Sequence, residues 1–154
     1  MKKITLLLLG AIILLTACSK DKKSLTPENF VSIMQSRGLP ADDITEYYEE
    51  DEPFEIVIFT TPEDAYYSIG FFKCPSVDQA KKDYERFKKA FIESEEGILY
   101  STNGGSNYDS ITHDGDDFYY YMSRINDTFI CVNFMSNDQV QKAEVLDIIK
   151  SLGY

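Results

Sequence analysis

Between positions 108 and 135, three apolar-rich segments are separated only by Asp114-Gly115 and Asn126-Asp127. Links this short join only antiparallel neighbours, since a parallel crossover needs a dozen residues or more. Asn and Asp both tolerate positive φ, as a two-residue hairpin turn requires. The pattern predicts a three-strand meander over 108–113, 117–124 and 128–135, with Thr128, Ile130, Val132 and Phe134 facing the core. A second pairing is predicted upstream. Residues 54–60 place Phe54, Ile56 and Ile58 on one face and Val57 and Phe59 on the other. Thr61-Pro62-Glu63-Asp64 turns the chain, and 66–74 returns.

Helices frame these strands. Thr26 as cap, Pro27 at the first helical position and Glu28 in the first turn start one helix, which Gly38-Leu39-Pro40 ends. Ser76 with Gln79 reads as a capping box, and Val77, Ala80, Tyr84, Phe87 and Phe91 recur at helical spacing to about 92. Ser136 with Gln139 reads as another, leading into Val140, Ala143, Leu146, Ile149 and Leu152. Ser101 to Asn107, rich in Ser, Asn and Gly, reads as flexible loop. The expected order is αββαβββα. It implies an α+β fold with a single antiparallel sheet of about five strands and helices packed on one face.

The first 17 residues stand apart. Lys2 and Lys3 precede an apolar run of about 14 residues, short of the roughly 20 that span a hydrocarbon core. A basic start, a short apolar stretch and small residues before a cut form a secretory signal pattern. Its last four residues, Leu15-Thr16-Ala17-Cys18, resemble the lipobox of bacterial lipoproteins. The resemblance implies cleavage before Cys18 and a diacylglycerol on its thiol. The expected organisation is a signal peptide at 1–17, a lipidated Cys and polar linker at 18–25, and one domain at 26–154. The localisation implied is the cell membrane, lipid-anchored, with the domain extracytoplasmic. Two or three acyl chains hold a protein essentially permanently, at about 0.8 kcal/mol per buried CH₂. The body is also similar to small uncharacterised lipoproteins of Gram-positive bacteria. The likeness lies in Leu25-Thr26-Pro27-Glu28-Asn29-Phe30, Ser123-Arg124-Ile125-Asn126-Asp127-Thr128 and Leu152-Gly153-Tyr154. These motifs read as structural and imply no activity.

Charge narrows the partners. The chain carries net charge −11, and loss of Lys2 and Lys3 with the leader makes it about −13. Such a surface argues against nucleic acid, whose phosphates need a basic footprint. By composition, Ser19 to Leu25 is a polar spacer with a coil reach of roughly 15 Å. That exceeds the Debye length of about 8 Å, so the acidic domain is expected to float clear of the membrane charge.

Few residues suggest chemistry. His113 is the sole histidine and reads as a strand-end surface residue, because Asp114 beside it leaves the opposite face of a strand. No Gly-x-Ser-x-Gly elbow is present. One His and two separated Cys lack zinc-ligand spacing, and the acidic runs at 49–52 and 114–117 lack calcium-loop order, so neither metal nor cofactor is implied. Cys74 and Cys131, both on predicted strands, either form a disulfide or stay buried as thiols.

Two surfaces are candidates for binding. Tyr66, Tyr119 and Tyr121 belong to tyrosine runs that place aromatic rings on a half-wet sheet face, where they either recognise a partner or pack across strands. Lys81 and Arg86 lie on the most basic helix, which either meets an anionic partner or is a solvated face laced by (i, i+4) pairs. The sequence therefore suggests a non-enzymatic lipoprotein that binds a protein or other envelope component. The alternative is a hydrolase of envelope glycan or peptide that uses paired carboxylates.

Overall fold

A computed structural model describes residues 21–48, 54–94 and 99–154. The leader at 1–17, Cys18 and the acidic run at 49–52 lie outside the described residues. Thr26 caps helix α1 (Pro27–Ser36), its hydroxyl accepting from the Asn29 N–H at 3.2 Å. At the other end Gly38 takes φ 72°. The Gly38 N–H donates to Gln35 O and the Leu39 N–H to Met34 O, the paired bonds of a Schellman motif.

After α1 come β1 (Asp42–Asp43), a 3₁₀ turn (Thr45–Tyr47), β2 (Ile56–Thr60) and β3 (Tyr67–Lys73). Helix α2 (Val77–Ser94) leads to β4 (Ser101–Gly104), β5 (Tyr108–Asp114), β6 (Tyr119–Ile125) and β7 (Thr128–Phe134), and α3 (Gln139–Ser151) follows. The fold is α+β with one antiparallel sheet, but the sheet has seven strands in the order β1-β2-β3-β7-β6-β5-β4. Two meanders meet where β3 pairs with β7 along its whole length, from Tyr67↔Phe134 to Lys73↔Thr128. The additional strands are both edges. β1 is two residues long, and every side chain of β4 is exposed, so the segment read as loop pairs by backbone alone (Ser101↔Thr112 to Gly104↔Asp109).

Helices cover both faces of the sheet rather than one. On the first face Phe30 and Met34 of α1 and Val145, Ile148 and Ile149 of α3 pack on Ile58, Ile69, Phe71, Ile130, Val132 and Phe134. On the second, Ala80, Tyr84 and Phe91 of α2 pack on Val57, Phe72, Ile111, Met122 and Phe129. The cause is local: β2, β3 and β7 are apolar at both odd and even positions, and such strands need cover on both sides. Phe54 precedes β2, so the strand alternation does not bind it. It joins the second face, 5.2 Å from Phe72 and 6.1 Å from Phe129 between ring centres. Gly70 makes room there, since a Cβ on it would lie 2.9 Å from the rings of Phe59 and Phe72.

One cap and one turn differ from the sequence pattern. Ser76 accepts from the Gln79 N–H at 3.1 Å as expected. At α3, however, Asp138 is the cap, accepting from Val140 and Gln141, while Ser136 accepts from Asp138 itself. Of the Asn126-Asp127 turn, only Asn126 takes positive φ, 51°.

The folded unit also begins before residue 26. Leu25 is buried in the first core. The Lys22 N–H donates to Asn107 Oδ1 at 3.1 Å and Asn107 Nδ2 donates back to Lys22 O at 2.7 Å. Asn126 Nδ2 donates to Ser24 Oγ at 2.9 Å, and Ser106 Oγ donates to Asp21. Residues 21–25 are thus a strap across one end of the sheet, not a free spacer. Among the described residues no helix is long and apolar enough to cross a membrane.

Candidate functional site

Antiparallel order puts the strand ends in two groups. One end holds the β4–β5 and β6–β7 turns and the strap. The other holds the β2–β3 and β5–β6 turns and the exit from β7 into α3. This second tip is where large apolar side chains meet solvent. Met135 N–H donates to Tyr66 O at 2.8 Å, and Tyr66 N–H donates to Gln141 Oε1 at 3.0 Å. Those bonds gather Tyr66 (62 % exposed), Met135 (69 %) and Val140 (80 %) around one corner. Asp138, capping the Val140 N–H at 2.9 Å, fixes the first turn of α3 beneath them. Leu99 and Tyr100 are exposed before β4 at the same end of the sheet. His113 Nδ1 lies 2.7 Å from Leu99 O, so the histidine braces this segment instead of pairing with Asp114, which is ion-paired to Lys142.

The tyrosine candidates separate. Tyr66 stands in solvent, whereas Tyr119 is 4 % exposed and Tyr121 is half-buried, both against the first core. Burial raises the phenols of both. Tyr119 and Tyr121 are core residues under α3, so the open aromatic face expected from the sequence is absent at these positions. Met135, which sequence patterning assigned to a strand, bonds the Tyr66 backbone, and Val140, assigned to a helix face, adjoins Gln141, which accepts from the Tyr66 N–H.

Helix α2 is less basic than its composition suggests. Arg86 pairs with Asp83 at 3.2 Å, Lys88 with Glu85 at 2.9 Å and Lys89 with Glu93 at 3.7 Å. Glu85 is thus met by its (i, i+3) neighbour Lys88 rather than by an (i, i+4) lysine. Lys81 stays exposed near the strap end of the molecule.

Cys74 and Cys131 are free thiols. Cys131 pairs across β3 with Gly70, four residues from Cys74. At about 3.3 Å per residue that is roughly 13 Å of strand, beyond the reach of about 7 Å that a disulfide spans between Cα atoms. Burial pushes both thiols up to about 12, with Asp83 and Asp127 adding to the effect at Cys74.

Two clefts remain. One of about 380 Å³ lies between α1 and the β1–β2 edge, with Val31, Ala41, Ile56 and Ile58 on its walls and Glu28 and Asp43 on its rim. The other, about 260 Å³, runs between α2 and β4–β5 and is lined by Tyr84, Glu85, Lys88, Thr102, Asn103 and Asp109. It contains two carboxylates, but both Glu85 oxygens accept from Lys88 at 2.9 Å, and Asp109 accepts from Arg124 Nε at 3.1 Å. No group of three or more potential metal ligands occurs among the described residues. No protein-family model, curated protein or solved structure matches the chain.

Proposed function

We propose that the protein is a lipoprotein held at the outer side of a cell membrane through lipid on Cys18. Its domain acts as a non-enzymatic module that binds another envelope protein. The lipobox resemblance supports the anchor. The corner of Tyr66, Met135 and Val140 supports protein binding, since clustered apolar side chains in water favour a partner that covers them. An aromatic ring beside a flexible thioether is well suited to a packed contact.

The hydrolase reading uses Glu85 and Asp109, which share one cleft. Both are already engaged, Glu85 through both oxygens by Lys88 and Asp109 by Arg124, so neither presents a free carboxylate to a substrate. The ion pairs therefore favour binding over hydrolysis.

The test is crosslinking of the lipidated protein in native membranes. One dominant protein partner is expected, and Tyr66→Ser, Met135→Gln and Val140→Lys together should abolish its capture without lowering the melting temperature. Capture that survives the triple substitution refutes the corner as the site. Turnover of wall glycan that is lost in Glu85→Gln refutes the non-enzymatic reading.

A further inference from the structure

We propose that residues 21–25 act as an orienting clasp. They hold the strap end of the sheet against anionic phosphate head groups and point the Tyr66–Met135–Val140 corner away from the bilayer. This inference rests on lipidation of Cys18.

The first support is reach. With Asp21 to Leu25 fixed on the domain, only three residue steps separate Cys18 from Asp21, at most about 10 Å of extended chain. That is close to the Debye length of about 8 Å, so the strap end lies inside the membrane's electrostatic field. A free linker from 18 to 25 would leave every orientation open. The clasp leaves one end near the lipid.

Charge is the second support, and it is independent of reach. At the strap end Lys73 lies between two carboxylates, Glu55 and Asp127, Arg124 offsets Asp109, and Asp21 and Asp78 are exposed. Lys23 is exposed beside them, and the Lys22 ammonium rests over the Tyr108 ring, 4.7 Å from its centre. Lys81 and Lys82 of α2 are exposed one turn beyond Asp78 near this end. The opposite tip carries Glu63, Asp64, Asp116 and Asp117, all exposed and without an ion pair among the described residues. An anionic surface repels that tip more strongly than the strap end, where Lys22, Lys23, Lys81 and Lys82 offset the remaining carboxylates.

The experiment uses the full lipidated protein in phosphatidylcholine vesicles, with and without phosphatidylglycerol and with a quencher on the lipid head group. A fluorophore is placed through Gly105→Cys at the strap end or Glu63→Cys at the far tip. Cys74 is buried and Cys131 half-buried, and both are replaced by Ala in the probe variants so that only the introduced thiol is labelled. Quenching several-fold greater at 105 than at 63 is expected, and larger with phosphatidylglycerol. In Ser24→Ala with Asn107→Ala, which removes the clasp bonds, the two probes should converge. Equal quenching in the native protein overturns the proposal, as does a contrast that survives clasp removal. Lys22→Gln with Lys23→Gln should abolish the phosphatidylglycerol increment, and its persistence overturns the head-group contact. Mass spectrometry of the N-terminal peptide separates the two readings. An unmodified Cys18 refutes the lipoprotein itself, whereas lipidated protein without probe contrast refutes only the orientation.

Discussion

Asp109→Ala should destabilise the protein more than Arg124→Met, although Arg124 is the more buried partner. The Arg124 side chain is 2 % exposed and that of Asp109 43 %. Arg124 donates through Nε and Nη2 to Asp109 and through Nη1 to Asn126 O at 3.0 Å, tying β6 to β5 and to the β6–β7 turn. Removing Asp109 strands a guanidinium where water cannot reach it, a situation that costs about 3–5 kcal/mol. Removing Arg124 leaves a carboxylate that water can solvate, and Met refills most of the arginine stem. The loss is then about 1–2 kcal/mol, from the charge-assisted bonds and the orphaned Asn126 carbonyl. In a chain of this size each kcal/mol moves the melting temperature by about 3–4 °C, so the variants should differ by roughly 3–16 °C. Urea unfolding followed by far-UV circular dichroism, with unchanged slope, measures the difference. The double variant should fall near Arg124→Met alone. If Arg124→Met proves equal to or worse than Asp109→Ala, burial asymmetry does not govern this pair and the reasoning fails.

Three other outcomes follow from the packing. Gly70→Ala should cost about 1–3 kcal/mol in the same assay, because its Cβ meets the Phe59 and Phe72 rings at 2.9 Å; a neutral result would show that the rings yield freely. With Cys18 lipidated as proposed, folded protein should react with a thiol reagent far more slowly than denatured protein, which should release two thiols; a count of zero after denaturation would establish a Cys74–Cys131 bond. Stability should also fall in alkali. Burial raises the Cys74, Cys131 and Tyr67 ionisations to about 12 from unfolded values of 9 for Cys and 10 for Tyr. The unfolded chain therefore loses protons first. The stabilisation is complete below about pH 9 and is lost progressively toward pH 12, so a pH titration showing flat stability between those values refutes the burial assignment.

The central strands were legible because each carries its own signal, an apolar run bounded by a short turn, whereas the β3–β7 pairing that joins the two meanders has no local signal. The edges were not. β4 reads Ser-Thr-Asn-Gly and exposes every side chain, so no hydrophobic period marks it and its pairing comes wholly from the backbone of β5. The one-face expectation failed for a reason already present in the residues. Ile56 and Ile58 alternate with Val57 and Phe59, and Ile130 and Val132 with Phe129 and Cys131, which leaves no polar face to give to water. Tyr66 was singled out correctly as a surface aromatic, but Met135 and Val140 were not, since exposure at an element's end depends on which neighbours arrive there. Tyr119 and Tyr121 show the converse: the same residue type becomes core once α3 lies over it.

The strap connects the part of the chain that the sequence reads most clearly with the part that it reads least. A composition of Ser, Lys and Asp describes a solvated spacer, and nothing local distinguishes Ser19–Lys20 from Lys22–Ser24. What fixes the latter are Asn107 and Asn126, more than eighty residues away, brought together only when β5, β6 and β7 form. Folding of the second meander is thus what fixes the strap. On the proposed lipidation of Cys18, a chain whose strap is loose would keep an anchor and an apolar corner but lose the relation between them. That relation would then set which way the corner faces at a membrane.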